Sequence, residues 1–93
     1  MKRVLRLRLK KVFFDAIAKG EKKIEYRKDT PYWRARLAPD GCVKLFDEIW
    51  FTNGYNRDSP FLRVEHIANT RAKGEYFSLE LGGVLEIKNW DGG

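Results

Sequence analysis

Residues 20–27, with the sequence GEKKIEYR, carry the side chains of this chain best suited to chemistry. In an extended strand, side chains alternate between two faces. The charged face then holds Lys23, Glu25 and Arg27. Ile24 and Tyr26 take the other face, and we predict that Ile24 lies in the core. Cations beside a carboxylate can hold a phosphate or pair with the polar edge of a base, so this segment is the first candidate for a binding site.

Other kinds of reactive centre have little support. The chain has one histidine, His66, and one cysteine, Cys42, without the spacing of metal ligands, so we predict no metal and no cofactor. We expect His66 to be a structural residue or part of a bulge, rather than one member of a Cys/His nucleophilic pair. The sequence has no glycine-rich phosphate-binding motif. The pair Gly82-Gly83 on its own indicates only a turn.

Charge is distributed unevenly along the 93 residues. Residues 1–36 have a net charge of +9 and residues 37–93 a net charge of −3, which together give +6. Clustered lysine and arginine suit an anionic partner such as nucleic acid, although a solvated basic face is the plain alternative. The length predicts one domain over 1–93, which we expect to be a monomer. With a single cysteine, no signal peptide and no membrane span, we predict a cytoplasmic protein.

The first half predicts a strand, a helix, a strand and a second helix. Residues 4–10 alternate between apolar and basic side chains, which is typical of a half-buried strand. Residues 11–19 have helical spacing and end at Gly20. After the charged strand, Thr30 is a predicted N-cap for a helix from Pro31 to about Ala38, in which Trp33 and Leu37 share a core-facing stripe. A turn follows at 39–41, and residues 42–47 fit either irregular chain or one extra helical turn.

The second half predicts mainly strands. Residues 48–52 read as a strand buried on both faces or nearly so, and residues 53–56 as a turn. A long strand over 61–72 changes parity near 65–66, which predicts a bulge there. A hairpin turn at 73–74 leads to alternating residues 76–81 and to a last extended segment, 84–88. Five or six strands with two short helices in the N-terminal half predict an α+β, mainly β fold, a small closed or nearly closed β-barrel.

The charged segment also resembles a family signature. A short helix ending at glycine, followed by the pattern Gly-x-Lys-x-x-Glu-x-Arg, is similar to the signature of ASCH domains, and Asn53-Gly54-Tyr55 after an aromatic strand resembles small members of that family. The resemblance spans nearly the whole chain. It implies a PUA-like β-barrel of five or six strands with a cleft that recognises RNA, a nucleotide or a modified nucleobase.

The resemblance assigns the motif positions to Lys22, Glu25 and Arg27. The structural alternative for Glu25 and Arg27 is a surface ion pair between them. Aromatic side chains that could stack on bases are Tyr26, Tyr32, Trp33 and Tyr55. Trp33 also fits a core position. Basic side chains that could follow a nucleic-acid backbone are Arg6, Arg8, Arg34 and Arg36, although the first two could simply solvate the first strand. The remaining predicted ligand-binding residues are Lys23 and Asn53.

An enzyme is the alternative function, because some members of the family are amidohydrolases acting on N4-acetylcytidine or ribonucleases. Lys22 and Glu25 would then be the catalytic residues. The amidohydrolases carry a hydroxyl residue three places after the motif lysine, where this chain has Glu25. An ion pair between Lys22 and Glu25 would favour the ammonium over the free amine that a nucleophile needs. A third alternative is a protein-interaction module whose basic face meets an acidic partner.

Overall fold

The computed structural model describes residues 1–92. In this range the chain forms five strands and two helices, which confirms the predicted α+β, mainly β class. In chain order the elements are β1 (Val4–Arg8), α1 (Lys11–Ala18), β2 (Ile24–Lys28), α2 (Pro31–Leu37), β3 (Glu48–Thr52), β4 (Phe61–Ala72) and β5 (Tyr76–Lys88). Residues 42–47, for which helix was one alternative, are irregular. Within residues 1–92, neither helix has the length and apolar character needed to cross a membrane.

The strands form one sheet in the order β1-β3-β4-β5-β2, curled into a half-barrel. β1 runs parallel to β3, and every other neighbouring pair is antiparallel. β1 and β2 are therefore the two outer strands. Because a sheet that curls brings its outer strands towards each other, the open side of the half-barrel lies between β1 and β2.

The core fills the inner side of the curled sheet. Leu5, Leu7 and Leu9 are buried while Arg6 and Arg8 between them are exposed, which confirms the predicted alternation in the first strand. The helices contribute the buried side chains Phe14, Ile17 and Leu37, and Trp33 packs against the same cluster. The α2 helix begins as predicted, because the Thr30 Oγ1 accepts a hydrogen bond of 3.3 Å from the Trp33 N–H.

The predicted bulge near residues 65–66 is confirmed, since the pairing of β4 with β5 shifts register on both sides of His66. The predicted turn at Gly82 and Gly83 is wrong, because both residues lie inside the continuous strand β5. A Cβ on Gly82 would lie 3.0 Å from the Glu65 Cβ, so glycine permits the close approach of the two strands at the bulge. Residues 76–88 therefore form one strand, and the sheet has five strands rather than six.

The predicted faces of β2 are inverted. Glu25, expected on the exposed charged face, is only 6% exposed, whereas Ile24 and Tyr26, expected on the buried face, are 38% and 52% exposed. The prediction that Ile24 lies in the core is wrong. The reason is that Glu25 turns towards the gap between the outer strands, where cationic partners compensate the cost of burying its carboxylate.

Candidate functional site

A cleft of about 430 Å³ opens between the two outer strands of the sheet. Its lining residues are Arg8, Leu9, Lys10, Phe13, Glu25, Tyr26, Arg27, Lys28, Thr30 and Trp33. The C-terminal end of β1 forms one wall, β2 forms the other, and the start of α2 closes one end. The Arg27 Nη2 crosses this gap and donates a hydrogen bond of 3.0 Å to the Arg8 carbonyl oxygen. The Arg27 side chain thus connects β1 and β2, which lie at opposite ends of the strand order and do not pair with each other.

Glu25 lies between two cations. Its Oε2 accepts a hydrogen bond of 2.7 Å from the Arg27 Nη2, and its Oε1 lies 3.5 Å from the Lys22 Nζ. The Lys22 Nζ also lies 5.5 Å from the ring centroids of Phe13 and of Tyr26. The three residues predicted from the motif spacing are therefore brought together: Glu25 and Arg27 line the cleft, and Lys22 contacts Glu25 from outside its lining.

Arg27 is held from several sides. Its guanidinium carbon lies 5.0 Å from the ring centroid of Trp33, a cation–π contact. The same side chain pairs with Glu25 and donates to the backbone of β1, while its buried Nε has no hydrogen-bond partner within residues 1–92. Trp33 combines the two predicted alternatives, because it packs against the core and also lines the cleft. The position of Arg27 is thus set by an aromatic face, a carboxylate and a carbonyl.

Cations outnumber carboxylates around the cleft. Its lining includes the basic residues Arg8, Lys10, Arg27 and Lys28 and a single acidic residue, Glu25. Lys10, Lys28 and Phe13 were not predicted as site residues. The alternation in β1 did carry a signal for Lys10, because it continues the row of Arg6 and Arg8 to the end where the cleft opens. The excess of positive charge in a concave site favours an anionic ligand.

A second depression, of about 350 Å³, adjoins the cleft and shares Arg8, Leu9 and Lys10 with it. Tyr55 and Asn53 lie on its other side. Tyr55 is 84% exposed, and the Arg8 guanidinium carbon lies 4.2 Å from its ring centroid. The Asn53 Nδ2 donates a hydrogen bond of 2.9 Å to the Leu9 carbonyl oxygen, so this amide ties the loop after β3 to β1.

Several predicted binding residues line neither depression. Arg34 pairs with Asp29 at 3.0 Å, and Arg36 lies over the ring of Tyr32 with its guanidinium carbon 3.7 Å from the centroid. Lys23 is exposed beside the start of β2. These four residues on α2 and before β2, namely Lys23, Tyr32, Arg34 and Arg36, therefore stand outside the set of side chains that the fold brings together around Glu25.

Two further carboxylates are held by cations outside the cleft. The pKa of Asp29 is lowered by hydrogen bonds from the Gly74 N–H and from Arg71. The pKa of Glu48 falls to about 2 because Lys2 and the Trp50 indole donate to it, together with Arg63. In residues 1–92, no three His, Cys, Asp or Glu side chains are grouped so that they could hold a metal ion.

His66 has a structural environment. Its Nδ1 accepts a hydrogen bond of 3.1 Å from the Phe46 N–H, and burial lowers the pKa of its imidazole. This position in the β4 bulge agrees with the structural alternative for the only histidine.

The geometry around Glu25 suits recognition of an anion that also has a polar, planar part. Lys22 and Arg27 can donate to a phosphate or a carbonyl oxygen, the Glu25 carboxylate can accept from an amino group, and Trp33, Tyr26 and Phe13 offer aromatic surface. Comparison of the chain with protein-family models and with curated proteins gives no match.

Proposed function

We propose that this chain is a nucleic-acid-binding domain of the ASCH type, with a PUA-like fold, that holds single-stranded RNA or a nucleobase in the cleft between β1 and β2. The observation that carries the proposal is the position of Glu25, buried at the wall of the cleft between Lys22 and Arg27. A buried carboxylate flanked by two cations presents donors and an acceptor side by side, which is the complement of a base edge.

The charge and aromatic content of the cleft support the same ligand. Four basic side chains and one carboxylate line it, so a phosphate group gains favourable contacts on entry. Trp33 and Tyr26 offer ring surface on which an unstacked base can lie. The concentration of positive charge in residues 1–36, from which the cleft is built, agrees with both features.

A hydrolase acting on RNA or on N4-acetylcytidine is the second candidate, favoured by the 3.5 Å approach of the Lys22 Nζ to the Glu25 Oε1. Two such groups could serve as general acid and general base. Binding is the better-supported function, because the Glu25 carboxylate is already engaged by Arg27 at 2.7 Å and so is less available as a base.

The test is a fluorescence anisotropy titration of a labelled short single-stranded RNA at low salt. Lys22→Ala and Arg27→Ala are each expected to weaken binding about tenfold or more, since each removes a charged donor. Lys44→Ala is the matched control, because it removes the same unit of charge from a residue that lines neither depression and, unlike Lys22 and Arg27, does not pair with Glu25. It is expected to change affinity less than about twofold.

Two outcomes would count against the proposal. One is that the protein does not bind RNA at low salt. The other is that Lys22→Ala and Arg27→Ala bind RNA as tightly as Lys44→Ala does. Release of acetate from N4-acetylcytidine, or cleavage of the RNA, would favour the hydrolase if it disappeared in Lys22→Ala. Association with an acidic protein, and none with RNA, would favour a protein-interaction module instead.

A further inference from the structure

Arg8 lies where three depressions of the surface meet. It lines the cleft beside Glu25, the depression beside Tyr55, and a third one of about 300 Å³ on the outer face of the sheet. The residues around the third depression are Arg6, Leu7, Arg8, Trp50, Thr52 and Phe61. Since one exposed arginine borders all three, the cleft does not end at β1 but continues over the edge of the sheet.

The outer face of β1, β3 and β4 alternates cations with aromatic rings. The parallel register pairs Arg6 with Trp50, and the guanidinium carbon of Arg6 lies 4.9 Å from the Trp50 ring centroid. Trp50 meets Phe61 edge to face at 5.6 Å between centroids. Beside them, Arg8 lies against Tyr55. Cations that alternate with aromatic rings are the arrangement with which single-stranded nucleic acid is held along its backbone and bases.

Arg6 and Arg8 differ from the other cations on this face. Lys2 and Arg63 form ion pairs with Glu48, and Lys88 forms one with Glu86. Within residues 1–92, neither Arg6 nor Arg8 has an acidic partner, although both are exposed. Their charges are compensated only by aromatic faces, so they are the cations on this face that an external phosphate can engage without displacing a carboxylate.

We infer that the ligand is a single-stranded oligonucleotide of about three nucleotides or more, one for each depression, rather than a free nucleotide. This inference rests on the proposed function of the cleft. One nucleotide occupies the cleft beside Glu25, the chain crosses Arg8 with a phosphate against its guanidinium, and the following bases contact Tyr55 and then Trp50. Arg6 takes a further phosphate on the outer face.

The test measures the affinity of the protein for uridine monophosphate and for oligouridylates of two to six nucleotides. Affinity is expected to rise at least tenfold between one nucleotide and about four, and then to level off. Tyr55→Ala and Arg6→Ala are expected to remove most of this gain and to leave mononucleotide binding within about twofold, because neither residue lines the cleft. Both residues are exposed, so neither change empties the core.

Tyr32→Ala and Arg36→Ala are the matched controls. They too form an exposed tyrosine–arginine contact, at 3.7 Å, but they border none of the three depressions. We expect both to keep the gain with length. A loss with these variants as large as with Tyr55→Ala would overturn the inference, because it would direct the ligand over α2 instead of over β1.

The remaining outcomes separate the inference from the proposed function. If uridine monophosphate binds as tightly as the oligomers and binding still requires Arg27, the cleft is a nucleotide site and the extended track is wrong. If neither ligand binds, both proposals fail. Tighter binding of a duplex than of the single strand would also overturn the track, because paired bases cannot lie against Tyr55 and Trp50. Deoxyuridine oligomers that show the same gain with length would support a track that reads phosphates and base faces alone.

Discussion

Two buried glutamates in this small sheet are each held by two cations, yet their surroundings differ. Glu48, at the start of β3, is 4% exposed and contacts the Lys2 Nζ at 2.7 Å and the Arg63 Nε at 2.9 Å. Glu25, in β2, is 6% exposed and contacts Arg27 at 2.7 Å and Lys22 at 3.5 Å. The sequence singles out Glu25, which stands at a motif position between Lys22 and Arg27, and gives no such signal for Glu48.

The difference lies in how completely each carboxylate is paired. Glu48 also accepts a hydrogen bond of 2.9 Å from the Trp50 indole, and Arg63 extends the network to Glu86 at 3.2 Å. Glu25 has no third donor among the contacts of residues 1–92, and it faces a cleft of about 430 Å³. A carboxylate surrounded by donors stabilises the fold, whereas one that faces open space retains acceptor capacity for a ligand.

The largest effect expected from this difference is on thermal stability. Glu48→Gln removes the charge that Lys2 and Arg63 share and weakens the hydrogen bonds from Lys2, Trp50 and Arg63, so we expect Tm to fall by roughly 5 to 10 °C at pH 7. Glu25→Gln is expected to lower Tm by less than about half as much, because fewer contacts are lost and the partly exposed Lys22 side chain can be solvated by water. Thermal unfolding followed by circular dichroism measures both values.

If Glu25→Gln lowered Tm as much as Glu48→Gln does, the two carboxylates would not differ in how much they stabilise the fold. Glu86→Gln provides the control for charge alone, because Glu86 pairs with Arg63 and Lys88 at the more exposed edge of the same network. It is expected to shift Tm by only a few degrees.

The second expected effect is on how thermal stability depends on pH below 5. The pKa of Glu48 is about 2 in the folded protein, against an ordinary value of 4.5, so the unfolded chain takes up this proton first as the pH falls. The stability from Glu48 is therefore fully present above about pH 4.5 and is lost as the pH falls towards 2. Tm measured between pH 5 and pH 2 is expected to fall less steeply in Glu48→Gln than in the original protein.

The lowered pKa values of Asp15 and Asp29 act in the same direction, so the variant keeps part of the acid dependence. An unchanged slope in Glu48→Gln would mean that the network around Lys2 and Arg63 does not hold the carboxylate in its charged form.

Local patterns predicted much of the fold. Alternation identified β1, the Thr30–Pro31 pair identified the start of α2, and the parity change near residue 65 identified the bulge. These features depend on residues close together in the chain. The face of β2 was predicted wrongly because alternation assigns charged residues to solvent, whereas Glu25 is buried at a gap between strands that no local pattern reveals.

The candidate site was predicted only in part for the same reason. The motif spacing identified Lys22, Glu25 and Arg27 as candidates. It did not predict the hydrogen bond from Arg27 to the Arg8 carbonyl, because β2 and β1 are not neighbours in the sheet. The contact of Arg6 with Trp50 depends on the parallel pairing of β1 with β3, which joins residues 44 positions apart. Non-local pairing of this kind determines which cations contact which aromatic rings, and local sequence patterns do not predict it.

The smallest expected effect is a change in RNA affinity on replacing Arg27 with lysine. It tests whether the Glu25 cluster, unlike the Glu48 cluster, binds the ligand. Arg27→Lys keeps the positive charge, but an ammonium cannot reproduce the planar contact with Trp33 while donating to both Glu25 and the Arg8 carbonyl. We expect affinity for short single-stranded RNA to fall by roughly threefold to tenfold, with Tm almost unchanged. Arg63→Lys, the matched change at Glu48, is expected to leave affinity within about twofold and to lower Tm.

A titration of both variants under identical salt conditions measures the contrast, and the salt dependence separates charge from geometry. Since both variants retain their charge, the slope of log affinity against log salt is expected to stay the same while the Arg27→Lys line lies lower. Equal affinities for the two variants would remove the distinction between the Glu25 and Glu48 clusters. A weaker slope for Arg27→Lys would instead mean that the guanidinium acts on the ligand through a phosphate contact that lysine cannot make, rather than by holding the two sides of the cleft in place.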